Sequence, residues 1–197
     1  LNYIKGNGIS GLRDKLRADM MPQYPEETMQ QASDPDKCYM SDTKFSIIMP
    51  VYNVEIKWLE KAIESVQKQN YKNWELCIVD DCSTKPEVKE YLDKIDDPQI
   101  HVKYQGKNGG ISTATNTAAQ MATGDYLVLM DNDDEITYDA LYEFLRAVKE
   151  KDADIIYSDQ NIIDANGRGR EPLYKPDWSP DLLLSQMYIG HLLGFRK

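Results

Sequence analysis

The chain has 197 residues, 33 acidic against 23 basic, with a formal net charge of −10 and an isoelectric point near 4.7. That balance argues against a nucleic-acid binder, which presents a basic face, but leaves small anionic ligands open where a divalent cation inverts the local charge. Hydrophobic residues at 41% allow a real core, and three cysteines without a CxxC pair suit a reducing cytoplasm better than a disulfide framework. No run approaches the roughly 18 to 20 apolar residues that span a bilayer, and the polar start "LNYIKGNGISGLRDKL" is no signal peptide.

Residues 1–44 lack sustained strand periodicity and read as a helical or irregular extension. Within them "GNGISG" (Gly6 to Gly11) matches the dinucleotide fingerprint in letters only, because no strand precedes it and no βαβ unit follows. From Phe45 the pattern changes. "FSIIMP" (45–50) reads as a strand ended by Pro50, and "VEIKWLEKAIESVQKQN" as a helix with Leu59, Ala62, Ile63 and Val66 on one stripe. "WELCIVD" (74–80) is a second strand, 85–95 a helix, "HVKY" (101–104) a brief strand, and "ISTATNTAAQMA" (111–122) a small-residue helix. "YLVLM" (126–130) is the next strand, 138–150 a helix with Leu141, Phe144, Leu145 and Val148 inward, and "ADIIYS" (153–158) closes the series. In the tail, 161–174 reads as a hairpin around Asn166-Gly167, 179–187 as a short helix after Ser179-Pro180, and "GHLLGFRK" as the start of another strand.

Strands alternating with helices of about 10 to 15 residues predict an α/β, Rossmann-like domain with a mostly parallel sheet flanked by helices. Ligands of such sheets bind beyond the carboxyl ends of the strands. The unusual clusters fall there: "PVYN" after the first strand, "DDCS" after the second, "GKNGG" after the third and "DNDD" after the fourth.

The acidic cluster Asp131-Asn132-Asp133-Asp134-Glu135 has two readings at this point. Oxygen ligands suit Mg²⁺ or Mn²⁺, and acids are also favourable ahead of a helix such as the one expected from 138. A calcium loop fails, since Ile136 and Tyr142 stand where it needs Gly and Glu. Asp80-Asp81 at the second strand end could accept from a base or ribose, with Ser83 or Thr84 capping the next helix. Gly109 and Gly110 permit close backbone approach to phosphate, or simply a turn. Lys107 reads as a solvated charge, Cys82 as incidental, and His101 and His191, without Ser or Cys partners, as structural.

Taken in order, "FSIIMPVYN", "WELCIVDDCS", "KNGGISTATNTA" and "GDYLVLMDNDDEI" closely resemble family 2 glycosyltransferases of the GT-A fold over residues 44–160. The tail "IIYSDQNIID…GRGREPLYKPDWSPDLLLSQ" resembles bacterial enzymes that build surface polysaccharides of O-antigen and rhamnan type. The resemblance implies transfer with inversion from a nucleotide-diphosphate sugar, UDP- or dTDP-linked, to a saccharide or lipid-linked acceptor, with Mn²⁺ or Mg²⁺ as cofactor. By the same resemblance Pro50, Val51, Tyr52 and Asp81 meet the nucleoside, Asp131 faces the ribose or diphosphate, and Asp133 binds the metal, with Gly109 and Gly110 as further candidates for the nucleotide-sugar site from their own residue chemistry. It implies a cytoplasmic location at the inner face of the membrane, with any peripheral association made by segments outside this chain.

Two departures qualify the match. Thr115-Asn116 stands where many relatives carry an Arg before the Asn, and no motif before Lys197 matches the family's carboxylate base. The expected organisation is therefore an extension (1–44), a nucleotide-sugar-binding domain (45–160) and the opening of an acceptor-side region (161–197), with the catalytic base beyond Lys197. A nucleotidyltransferase and a nucleotide-sugar-binding module without transfer are the alternatives; the former would show a Gly- and Arg/Lys-rich loop where this chain has "PVYNVEIK".

Overall fold

A computed structural model describes residues 40–163 and 169–197. The expected extension up to residue 39 and the hairpin tip at Asn166-Gly167 lie outside the described residues. The described chain falls into a larger compact unit, 40–158 with 179–197, and a smaller one, 159–178.

The larger unit is an α/β domain around one six-stranded sheet. Its strands are β1 (Phe45–Val51), β2 (Trp74–Asp80), β3 (Ile100–Tyr104), β4 (Tyr126–Leu129), β5 (Ile155–Tyr157) and β8 (Leu193–Arg196), in the order β3-β2-β1-β4-β8-β5. The first four run parallel, and β8 is inserted antiparallel to both β4 and β5. Helices α1 (Ile56–Gln67), α2 (Pro86–Leu92), α3 (Ile111–Met121) and α4 (Ala140–Lys151) connect them, and α5 (Pro180–Ser185) precedes β8. The smaller unit holds the hairpin β6 (Gln160–Ile163) and β7 (Gly169–Leu173), where Asp159 Oδ1 accepts the Lys175 backbone N–H at 2.7 Å.

β1 and β2 are buried at every position, as continuous apolar runs covered on both faces should be. On one face Leu59, Ala62, Ile63 and Val66 of α1 and Leu141, Phe144 and Leu145 of α4 pack with Phe45, Ile47, Leu76 and Ile78. On the other, Ala114 and Ala118 of α3 meet Ile48, Cys77 and Val79, the small side chains letting that helix lie close to the strands. Burial there pushes the Cys77 thiol up to about 12, so it is an inert core group.

The sixth strand comes from the stretch expected to open an acceptor-side region. Gly194 makes its insertion feasible, because a Cβ there would meet the Phe144 ring at 2.7 Å. The register pairs Leu129 with Leu193 and Tyr126 with Arg196. Carried two residues further, it sets position 191 opposite position 131.

Candidate functional site

Since β1 to β4 are parallel, the loops that follow them converge on one rim. Hydrogen bonds tie neighbouring loops together. Asn132 Nδ2 donates to the Pro50 carbonyl at 2.7 Å, joining the loop after β4 to the end of β1. The Asp81 backbone N–H donates to the Val51 carbonyl at 2.8 Å, joining β1 to the loop after β2. Asn53 adds a second tie there: its Oδ1 accepts the backbone N–H groups of Thr84 and Lys85 at 2.8 and 3.1 Å, and its own N–H donates to Ser83 Oγ at 2.9 Å. The loop after β3 joins through Asp81, whose Oδ1 and Oδ2 accept the Gly109 and Gly110 N–H groups at 2.8 Å each.

Three rim residues have left-handed backbones: Asn53 at φ 50°, Cys82 at φ 61° and Gly110 at φ 82°. Left-handed residues other than glycine are uncommon, and two at adjacent strand ends mark a rim whose shape the surrounding bonds impose. The helix cap expected from Ser83 or Thr84 is not made. Lys85 is the N-cap of α2 without a side-chain cap bond, and Asn53 Oδ1 holds the Thr84 and Lys85 N–H groups just ahead of the helix.

The expected nucleoside contacts divide by exposure. Pro50 and Val51 are buried and their carbonyls are taken by Asn132 and Asp81, whereas the Tyr52 ring is 47% exposed on the rim. Asp81 is 3% exposed.

The acidic loop does not cap α4, for Asp139 is that helix's N-cap and makes no side-chain cap bond. The fold instead brings His191 into the loop. His191 Nε2 lies 3.3 Å from Asp131 Oδ2, and Nδ1 lies 3.7 Å from Asp134 Oδ2. One ligand atom from each of these three residues falls within a 4.8 Å span. Asp133, the expected metal ligand, is exposed and stands outside the group. Burial raises the Asp134 carboxyl above its ordinary value; His191 opposes that shift, and Asp131 and Asp133 add to it.

Two carboxylates and an imidazole form a donor set that first-row divalent ions and Mg²⁺ accept, the nitrogen favouring Mn²⁺ over Mg²⁺. The residues therefore fit the cation that the sequence resemblance implies. Position 191 had no local sequence signal, since its partners lie about sixty residues away; only the register of β8 against β4 connects them.

The family model described as "Glycosyl transferase family 2" matches residues 46–194. The chain is 43% identical over 150 residues to protein y4gI of Sinorhizobium fredii, covering 75% of this chain and 16% of that protein. It is 32% identical over 155 residues to the O-antigen biosynthesis protein RfbC of Myxococcus xanthus, covering 77% of this chain and 12% of RfbC. This chain thus spans less than a fifth of either relative. Among solved structures, TarS residues 1–349 of S. aureus in complex with UDP-GlcNAc superposes with a TM-score of 0.56 at 29% identity, over 65% of this chain and 37% of that one. The mixed sheet with its four neighbouring parallel strands is the GT-A arrangement, and the chain belongs to glycosyl transferase family 2.

Proposed function

We propose that the chain is the donor-binding part of an inverting, metal-dependent glycosyltransferase that acts in bacterial surface-polysaccharide synthesis. The observation that carries this reading is the group Asp131, Asp134 and His191 at the carboxyl ends of the parallel strands. The 32% identity to an O-antigen biosynthesis protein supports the pathway class, and the likeness to a TarS complex with UDP-GlcNAc supports a uridine-diphosphate sugar as donor.

In this reading Asp131, Asp134 and His191 hold a divalent cation, Mn²⁺ being favoured by the imidazole. When bound, the cation screens the diphosphate and stabilises charge on the departing nucleoside diphosphate. The exposed Tyr52 ring offers a face to the base, and the Gly109-Gly110 turn lets phosphate oxygens approach the start of α3. Asn132 and Asp81 keep the loops in place before the donor arrives, so less ordering is needed on binding. Transfer goes to a saccharide or lipid-linked acceptor whose hydroxyl loses its proton to a carboxylate that the matched motifs of this chain do not include.

Calorimetric titration of the chain with UDP, with and without Mn²⁺, tests the proposal. Binding that requires Mn²⁺ and disappears in Asp131→Ala and Asp134→Ala is the expected result. Absence of UDP binding under both conditions, or metal-independent binding indifferent to these changes, overturns it.

A further inference from the structure

We propose that a cleft between α3 and the edge strand β3 binds an acidic saccharide, at a site separate from the sugar donor. The cleft measures about 560 Å³ and is lined by Lys103, Gln105, Lys107, Thr113 and Thr117. Strand alternation explains why it exists. Ile100, Val102 and Tyr104 turn to the core face shared with α1 and α4, so Lys103 lies beside Val79 on the α3 face. Ala114 and Ala118 hold α3 over β1 and β2, and His101 and Lys103 on the same face of β3 stay exposed.

β3 is the edge of the sheet, three strands from β4. At about 4.8 Å per strand that is roughly 14 Å from the strand leading to Asp131. A diphosphate held by Asp131, Asp134 and His191 lies too far away to occupy the cleft. This separation rests on the donor reading above, whereas the chemistry of the cleft does not.

Lys103 and Lys107 are exposed, and neither forms an ion pair among the described residues, although the chain has a net charge of −10. Two such ammonium groups in one concavity favour an anion. The remaining lining groups select what carries the charge. Thr113 Oγ1 donates to the Gly109 carbonyl at 2.7 Å, and Thr117 Oγ1 to the Thr113 carbonyl at 2.8 Å. Thr117 Oγ1 also accepts Gln105 Nε2 at 3.3 Å. With their protons committed, both hydroxyls meet a ligand as acceptors. The cleft therefore matches negative charge and O–H donors in one molecule. A uronate-type saccharide has both, whereas a phosphodiester group has the charge without the donors. On a glycosyltransferase, such a site holds a charged glycan at a distance from its reacting end.

Trigalacturonate, maltotriose and orthophosphate are suitable probes, titrated separately into the chain and followed by calorimetry and amide chemical shifts. Trigalacturonate should bind about tenfold or more tightly than the other two, with shifts gathered at residues 103–107 and 113–117. Replacing both lysines, Lys103→Gln with Lys107→Gln, should weaken it about tenfold. The same double variant should bind UDP with Mn²⁺ as the wild type does. No trigalacturonate binding, orthophosphate binding of equal strength, or shifts gathered elsewhere overturns the proposal. So does displacement of trigalacturonate by UDP, which would merge the cleft with the donor site, or capture of phosphatidylglycerol vesicles through the two lysines in place of the saccharide. If the wild-type chain binds no UDP, the donor reading falls, and the trigalacturonate titration still decides the cleft.

Discussion

At the amino end of the sheet Glu75 is 2% exposed, and the chain itself supplies its partners. Lys44 Nζ and Ser46 Oγ donate to it at 2.6 Å, as do the Thr123 backbone N–H at 2.5 Å and Thr123 Oγ1 at 2.9 Å. Burial alone would raise this carboxyl, but those donors pull it down to about 2. At the carboxyl end of the same sheet, Asp134 is held above its ordinary value, and His191 faces it and Asp131 together. Glu75 and the half-exposed pair Asp131 and Asp134 put negative charge to two different uses. Where hydrogen-bond donors and a cation are built into the fold, a carboxylate fastens strands together; where acids outnumber cations, the site can gain energy from a cation supplied from outside.

Substitutions at the two ends should fail in different ways. The largest effect belongs to the amino end: Glu75→Gln should lower folding stability by about 3 kcal/mol, because it weakens a buried ionic network from one side. Chemical denaturation measures that loss, and Mn²⁺ affinity of the folded fraction should be unchanged. If metal affinity fell with it, the two ends would not be independent.

At the other end, Asp134→Ala should weaken Mn²⁺ binding on the order of a hundredfold, read by electron paramagnetic resonance of free Mn²⁺, with unfolding midpoint held or raised. Relief of an unfavourable carboxylate is the reason for the sign of the stability change. Asp133→Ala, outside the donor group, should weaken Mn²⁺ binding only a few-fold. Equal losses at 133 and 134 would show that the loop rearranges around the ion.

The pH response sharpens the same contrast. Glu75 has a folded value of about 2 against an ordinary value of 4.5, so its stabilisation is complete above the ordinary value and is lost as pH falls through the folded one. Unfolding midpoints should therefore drop between about pH 4.5 and pH 2 in the wild type and drop less steeply in Glu75→Gln. Among the stability changes, the smaller one lies in the rim ties. Asn53→Ala removes a local set of hydrogen bonds at a left-handed position and should cost about 1 to 2 kcal/mol.

Much of the architecture is legible in the sequence. The stripes of Leu59, Ala62, Ile63 and Val66 and of Leu141, Phe144 and Leu145 became the buried faces of α1 and α4, and "WELCIVD" is β2 to the residue. Period and burial are local consequences of side-chain chemistry, so a linear reading recovers them. The rim was also legible, because parallel strands send their following loops to one edge.

Its wiring was not. Asn53, Asn132 and the Asp81 carboxylate act on loops far away in the chain, and the helix cap predicted from neighbouring Ser83 or Thr84 is not made. By itself the sequence determined the alternation of strands and helices, the fully apolar central strands and the acidity of the fourth loop. The tertiary structure alone decided that a four-residue strand from the tail would run antiparallel beside β4 and deliver His191 to that loop. The physical reason is register: a short strand containing a glycine has little pairing preference of its own, and the neighbours that receive it set where its flanking residues land.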